Sequence, residues 1–334
     1  MGRYAERHEI QRAVNLSGAG MKDMDVAREL GKPYATINGW LRPGGIAERM
    51  GLIPGVEIVR EEAPPEKIRV RIPAQSSNGS PAIRVLAIGD AHDSPKLEDK
   101  SRFYAMGKLA RERGISHVVQ IGDFADFDSV STHIAADTIE GKLNNPYTTD
   151  IVSLNRAMDD FERGLGAHIV TKHVTFGNHE RRIYQYENSH PQIEGMLTSE
   201  LEQTFKDHGW TTTPYGEFYF LGAVGFIHCA LNRLGKSYGG KLAESTIGND
   251  AVFDIVVGHS HVKREHRAPK IGPHKHVTVL NLGCALPHGY TQSYIYHSQL
   301  AGWWYGVHVL TIQGGQIVGA EAISMHDLTT TFGK

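Results

Sequence analysis

The chain has 334 residues, 40% of them hydrophobic, and a formal net charge of −2. That suits one large domain, or a large domain with a small one attached, and the near-neutral balance gives no global sign of nucleic-acid binding. No apolar run approaches the length needed to cross a bilayer, so no membrane role is expected.

Residues 1 to about 50 read as helical. Val26, Ala27 and Leu30 share one face, Gly31, Lys32 and Pro33 break the pattern, and Ile37, Trp40 and Leu41 form a second apolar stripe. Two short helices joined by a glycine-containing turn suggest a helix-turn-helix-like module over 1–50. Its second helix, with Tyr34, Thr36 and Asn38 between Lys32 and Arg42, is the part that could contact DNA. Residues 51–83 read as an extended arm and linker. GVEIVREEAPPEKIRVRIP alternates apolar and polar residues around two prolines, and AQSSNGSP, Ala74 to Pro81, has linker composition. From residue 84 strands and helices alternate. IRVLAIGD, HVVQIGD and HIVTKHVTFGN read as strands, and SRFYAMGKLARERG and IVSLNRAMDDFERGLG as the helices between them. The C-terminal half is richer in strands: FYFLGAVGFIHCAL, FDIVVGHSH, HVTVLNLG and WYGVHVLTIQGGQIVGAEAIS. This order predicts an α/β sandwich with a mixed sheet or two facing sheets.

Two cysteines, Cys229 and Cys284, are too few for a disulfide framework, and MGRYAERHEIQ lacks the apolar segment of a secretory signal. A cytoplasmic, reduced setting is the expectation. Histidine is unusually frequent, at 19 copies, and imidazole is the commonest transition-metal ligand.

Polar clusters recur where an apolar strand ends. Asp90 and His92 follow VLAI, Asp123 and Asp126 follow VVQI, Asn178 and His179 follow VTF, His228 lies in FIHCA, and His259 and His261 follow DIVV. Any one cluster could be a turn or a packed histidine. In α/β sheets, however, ligands bind beyond the carboxyl ends of strands, so five such clusters would converge on one rim. Asp and Asn oxygens mixed with imidazoles suit Mn²⁺, with Fe or Zn²⁺ as alternatives, better than Ca²⁺. There are more donors than one ion needs. Two ions clamping the attacking and leaving oxygens of a phosphoryl centre is the general two-metal arrangement.

The ordered motifs GDxH, GDxxD, GNHE, H and GHxH resemble those of the calcineurin-like metallophosphoesterases, over about Arg84 to Ser324. The resemblance implies a four-layer α/β sandwich catalytic domain over 84–326 and a dinuclear centre. It implies Asp90, His92 and His261 on one ion, Asn178, His228 and His259 on the other, and Asp123 bridging. It implies that His179 contacts phosphate and protonates the leaving oxygen, with Asp126 as its acidic partner. Arg181 or Arg182 could hold phosphate oxygens, and Arg181 is the residue taken as catalytic. Glu180 either orients a neighbour or is a helix N-terminal acid. Asp93, where relatives often have Gly, could line the mouth of the site. Phe127, where the protein-phosphatase branch has Arg, argues against a protein Ser/Thr phosphatase. His133, His173, His288 and His297 are assigned to surface or packing.

The expected activity is hydrolysis of phosphate esters by direct attack of a metal-held hydroxide. The N-terminal module tilts the substrate towards nucleic acid or nucleotides, hence a phosphodiesterase or nuclease. The alternatives are a phosphomonoesterase on nucleotides or phosphoproteins, and a DNA-binding or assembly protein with a structural metal centre. Oligomeric state is left open.

Overall fold

The computed structural model describes residues 7–42, 45, 47, 52, 81–131, 145–272, 275–292 and 302–333. The chain divides into two compact units, 1–71 and 72–334. The expected linker, apart from Pro81, lies outside the described residues.

In the first unit three helices, α1 (Arg7–Gly18), α2 (Asp23–Glu29) and α3 (Tyr34–Leu41), surround a small core. Ile10 and Ala13 of α1 meet Val26, Ala27, Ile37 and Trp40, so the two predicted stripes do face inward. The turn between α2 and α3 passes through Gly31 at φ 59°, a left-handed conformation that glycine adopts without a Cβ penalty. Lys32, which flanks the helix that could contact DNA, forms an ion pair with Glu9 at 2.8 Å.

The second unit holds two sheets. The first is six-stranded, in the order β11-β10-β1-β2-β3-β4. Its strands are β1 (Ile83–Ile88), β2 (His117–Gln120), β3 (Thr171–Thr175), β4 (Trp210–Thr213), β10 (Gly306–Gln313) and β11 (Gln316–Ser324). β1 to β4 run parallel, and β10 pairs antiparallel with β1. The second sheet has the order β5-β6-β7-β9-β8. Its strands are β5 (Tyr219–Leu221), β6 (Val224–Phe226), β7 (Ile255–Val257), β8 (Lys263–Pro269) and β9 (His276–Leu282). β6, β7 and β9 are parallel, and the edge strands β5 and β8 are antiparallel to their neighbours.

β1 shows why Val85 to Ile88 is a continuous apolar run. Side chains alternate across a strand. Leu86 and Ile88 pack under helices α4 (Ser101–Glu112) and α5 (Tyr147–Leu165), against Phe103, Met106, Leu154 and Phe161. Val85 and Ala87 point the other way, into an inter-sheet layer with Val224, Phe226, Val256 and Leu282. On the far face of the second sheet Ile247, from helix α8 (Ala243–Asp250), packs on Ile255, Val257 and Val279. Helix, sheet, sheet, helix is a four-layer α/β sandwich, the fold class expected. Helices α6 (Asn178–Ser189), α7 (Met196–Asp207) and α9 (Met325–Phe332) complete the first helical layer through Ile183, Phe205 and Leu328. Among the described residues no helix is long and apolar enough to cross a membrane.

Candidate metal centre

The predicted strand-end clusters meet. Asp90 lies two residues beyond β1, Asp123 three beyond β2, and Asn178 opens α6 just after β3. From the second sheet His228 follows β6, and His259 and His261 follow β7. One half of the rim is buried: Asp90, His92 and His261 are within binding reach of a common point. His92 Nε2 and His261 Nε2 are 2.9 Å apart, and His261 Nε2 is 3.1 Å from Asp90 Oδ2. The other half is more open. Asn178 Oδ1 lies 3.0 Å from His228 Nε2 and 2.9 Å from His259 Nδ1. Asp123 Oδ2 stands between the two halves, 3.4 Å from His228 Nε2 and 3.9 Å from His92 Nε2.

These donors fit divalent cations. Metal–donor bonds of about 2.1 Å put neighbouring ligand atoms roughly 3.0 to 3.4 Å apart, for right-angled to tetrahedral angles. Five of the spacings, 2.9 to 3.4 Å, fall at or close to those values, and the His92–Asp123 pair, at 3.9 Å, is wider. Outer partners also fix the lone pairs. Asp126 Oδ1 accepts from Gln292 Nε2 at 2.7 Å and lies 2.8 Å from His92 Nδ1. That oxygen is therefore an acceptor, His92 carries its proton on Nδ1, and Nε2 turns a lone pair inward. His228 Nδ1 faces the Ile121 carbonyl at 2.9 Å, with the same consequence for its Nε2. This is the outer-partner logic of metal-binding imidazoles. Burial holds His92 neutral by pushing it down to about 4. Burial would also lower His228, but the Asp123 and Asp90 carboxylates outweigh it and raise that ring. Asp90 Oδ2 is buried without a hydrogen-bond donor among the described residues. An orphaned buried carboxylate oxygen is costly unless something positive sits beside it.

The backbone is bent to deliver these groups. His92, Asp123, His259 and His261 all have positive φ, between 45° and 70°, where non-glycine residues are uncommon. Such strain persists where the surroundings over-determine it, and it clusters at functional sites. The glycines of the motifs give clearance. A Cβ on Gly177 would lie 2.1 Å from Asp123 Oδ1, and one on Gly258 would lie 2.4 Å from Asp90 Oδ1.

Of the residues around the ligands, Glu180 is the clamp. Fully buried at the start of α6, it accepts from the amides of Gly177 (2.8 Å), Asp123 (3.0 Å) and Phe124 (2.8 Å). It thus orients a neighbour rather than merely suiting the helix dipole, and burial pushes its carboxyl up to about 7. His179 is buried beside Asp123, its Nε2 3.8 Å from Asp123 Oδ2.

Four expectations need correction. The Asp126 carboxylate serves His92, lying 3.5 Å from His179 Nδ1; His179 Nδ1 instead meets the Asp126 backbone carbonyl at 2.9 Å. His92 Nδ1 is the nearer partner of that carboxylate, and the backbone carbonyl offers His179 Nδ1 the shorter contact. Arg181 stacks over Tyr215 at 4.8 Å, whereas Arg182 reaches inward to His179 Nε2 and the Asp126 carbonyl, each at 3.0 Å. One residue of helical turn, about 100°, separates those directions. His179 Nε2, expected to donate a proton, here accepts from Arg182. Asp93 does not line the mouth: it is buried and bound to Lys100 at 2.7 Å and Ser153 at 2.6 Å, where burial raises its carboxyl.

Among the histidines without motif support, His173 packs on Tyr219 with ring centres 3.6 Å apart, and His288 stands 5.8 Å from Tyr305. His133 and His297 lie outside the described residues. Sequence reasoning missed Gln292; a lone glutamine in a polar loop carries no spacing signal.

Neither protein-family models nor curated proteins match the chain. Solved structures do align with it, at low similarity. Vps29 from Entamoeba histolytica, crystallised with zinc, is 15% identical, with 73% of this chain and 99% of that chain covered and a TM-score of 0.30. A conserved protein from Streptococcus pneumoniae described as a predicted phosphoesterase is 10% identical over 73% and 99% of the chains, with a TM-score of 0.29. Vacuolar protein sorting 29 from Cryptosporidium parvum is 14% identical over 73% and 98%, with a TM-score of 0.33.

Proposed function

We propose that the chain is a phosphoesterase that works with two divalent cations, Mn²⁺ first among the candidates, and that phosphodiesters of nucleotides or nucleic acid are its substrates. The observation that carries this reading is the convergence of Asp90, His92, Asp123, Asn178, His228, His259 and His261, with neighbouring nitrogen and oxygen donors 2.9 to 4.0 Å apart. Cations bound there would supply an acidified water and neutralise charge on the phosphoryl oxygens. Asn178 contributes a neutral oxygen, which keeps the ligand set from becoming too negative to admit phosphate. His179, beside Asp123, and Arg182, bonded to His179, are the groups that meet the phosphoryl oxygens. A guanidinium can hold two of those oxygens at once. His179 then orients Arg182, its Nε2 accepting from the guanidinium at 3.0 Å.

Removing metal with a chelator should abolish hydrolysis of bis(p-nitrophenyl) phosphate, and Mn²⁺ should restore it. Hydrolysis indifferent to chelator, or none after Mn²⁺ addition, refutes the reading. A parallel assay on p-nitrophenyl phosphate separates diester from monoester preference.

The α2–α3 hairpin is the proposed DNA contact. It is tested by gel shift of the full chain at several salt concentrations, because phosphate contacts weaken as salt rises. No shift at low salt removes that role.

A further inference from the structure

Beside the open half of the centre lies a cleft of about 330 Å³, near the small end of the range for small-molecule pockets. His259 and Ser260 are exposed and line it, so it begins where a phosphoryl group at the centre would end. Its walls include Tyr238, Ile247, Val257 and Val262, which offer apolar surface to a flat ring.

The floor is made of acceptors. Glu244 is 5% exposed and Asn281 is 3% exposed. Asn281 Nδ2 is spent twice, donating to Glu244 Oε1 at 2.8 Å and to Ser260 Oγ at 2.7 Å. Asn281 Oδ1 is buried with no partner among the described residues. Among the described residues Glu244 Oε2 has a single long contact, to Arg264 at 3.5 Å. A buried acceptor left unpaired calls for a donor from elsewhere. The matching ligand group is one that donates two hydrogens, which is an amino group.

The rim argues about charge. Arg264 and the exposed Lys241 both line the cleft. Two cations at the entrance disfavour an ammonium ion and leave a neutral amino group on a flat ring.

We infer that this cleft binds the amino-bearing base of a nucleotide ester, adenine or cytosine, with Glu244 and Asn281 reading the exocyclic amino group while the phosphoryl group lies at the metal centre. The inference rests on the phosphoesterase reading and names its substrate class.

Calorimetry with the wild-type chain should show adenosine binding at least about tenfold tighter than inosine, which carries an oxo group where adenosine has its amine. A site built to hydrogen-bond a donor rejects the analogue lacking it by that much or more. In Glu244→Gln the adenosine-over-inosine ratio should fall towards one, because the amide offers one acceptor in place of two. A merely structural Glu244 would lower stability without moving the ratio. A wild type that favours neither adenosine over inosine nor cytidine over uridine, binds none of the four nucleosides, or keeps its ratio in Glu244→Gln overturns the inference. If the wild type hydrolyses bis(p-nitrophenyl) phosphate yet fails to discriminate, the cleft assignment falls and the phosphoesterase reading stands. If it discriminates but hydrolyses no ester, the phosphoesterase reading falls, and with it the assignment of the base to a substrate.

Discussion

The two halves of the centre differ in how they are held. Asp90, His92 and His261 are all buried, and the Asp126 carboxylate fixes His92 from behind at 2.8 Å. On the other side His228 is buried, but Asn178 is only half-buried and His259 is exposed. The buried half resembles a site that holds its cation; the open half resembles one that exchanges its cation and meets the substrate. The physical difference is desolvation. Water competes for an exposed imidazole, whereas burial strengthens every charge interaction and penalises any group left unpaired.

The strongest way to break that comparison is to remove what both halves share. Asp123→Asn should lose both cations and lower kcat/KM by more than about 100-fold, beyond the roughly 10–100-fold that follows loss of an outer partner. Metal content by elemental analysis, measured with the kinetics, checks it. A variant that keeps two ions would show that Asp123 does not join the halves.

Asp126→Asn sharpens the difference. It touches only the buried half, through His92, so affinity should drop about 10–100-fold for one ion and stay for the other. Stepwise Mn²⁺ titration reads this directly. Equal weakening of both ions would mean that the halves are one unit.

Arg182→Ala and Arg181→Ala test which arginine works. Hydrogen bonds to charged groups are worth about 1.5–3 kcal/mol, so Arg182→Ala should cost roughly 10–100-fold in kcat/KM. An exposed cation–π contact is worth about 0.5–1 kcal/mol, so Arg181→Ala should cost about fivefold at most. The reverse order would reinstate Arg181 at the centre.

Much of this was legible because the signal was local. Polar donors after apolar strands, four of the five clusters with a glycine in front, marked Asp90, His92, Asp123, Asn178, His228, His259 and His261. The alternation of apolar runs marked the layers. Long-range partners were not legible. Whether Asp126 meets His92 or His179 depends on loops 34 and 53 residues apart in sequence. That Asp93 is buried follows from Lys100 and Ser153, which no spacing rule connects to it. Strand β8, KREHRAP, escaped notice because an edge strand can be built of charged residues, which also guard it against pairing with other chains. Strand β4, WTTT, is short and lacks alternation.

The most direct test is a crystal of the Mn²⁺-loaded protein measured at the manganese absorption edge. The account predicts two anomalous peaks, one among Asp90, His92 and His261, the other among Asn178, His228 and His259, with Asp123 touching both. A single peak, or peaks away from these side chains, would contradict it.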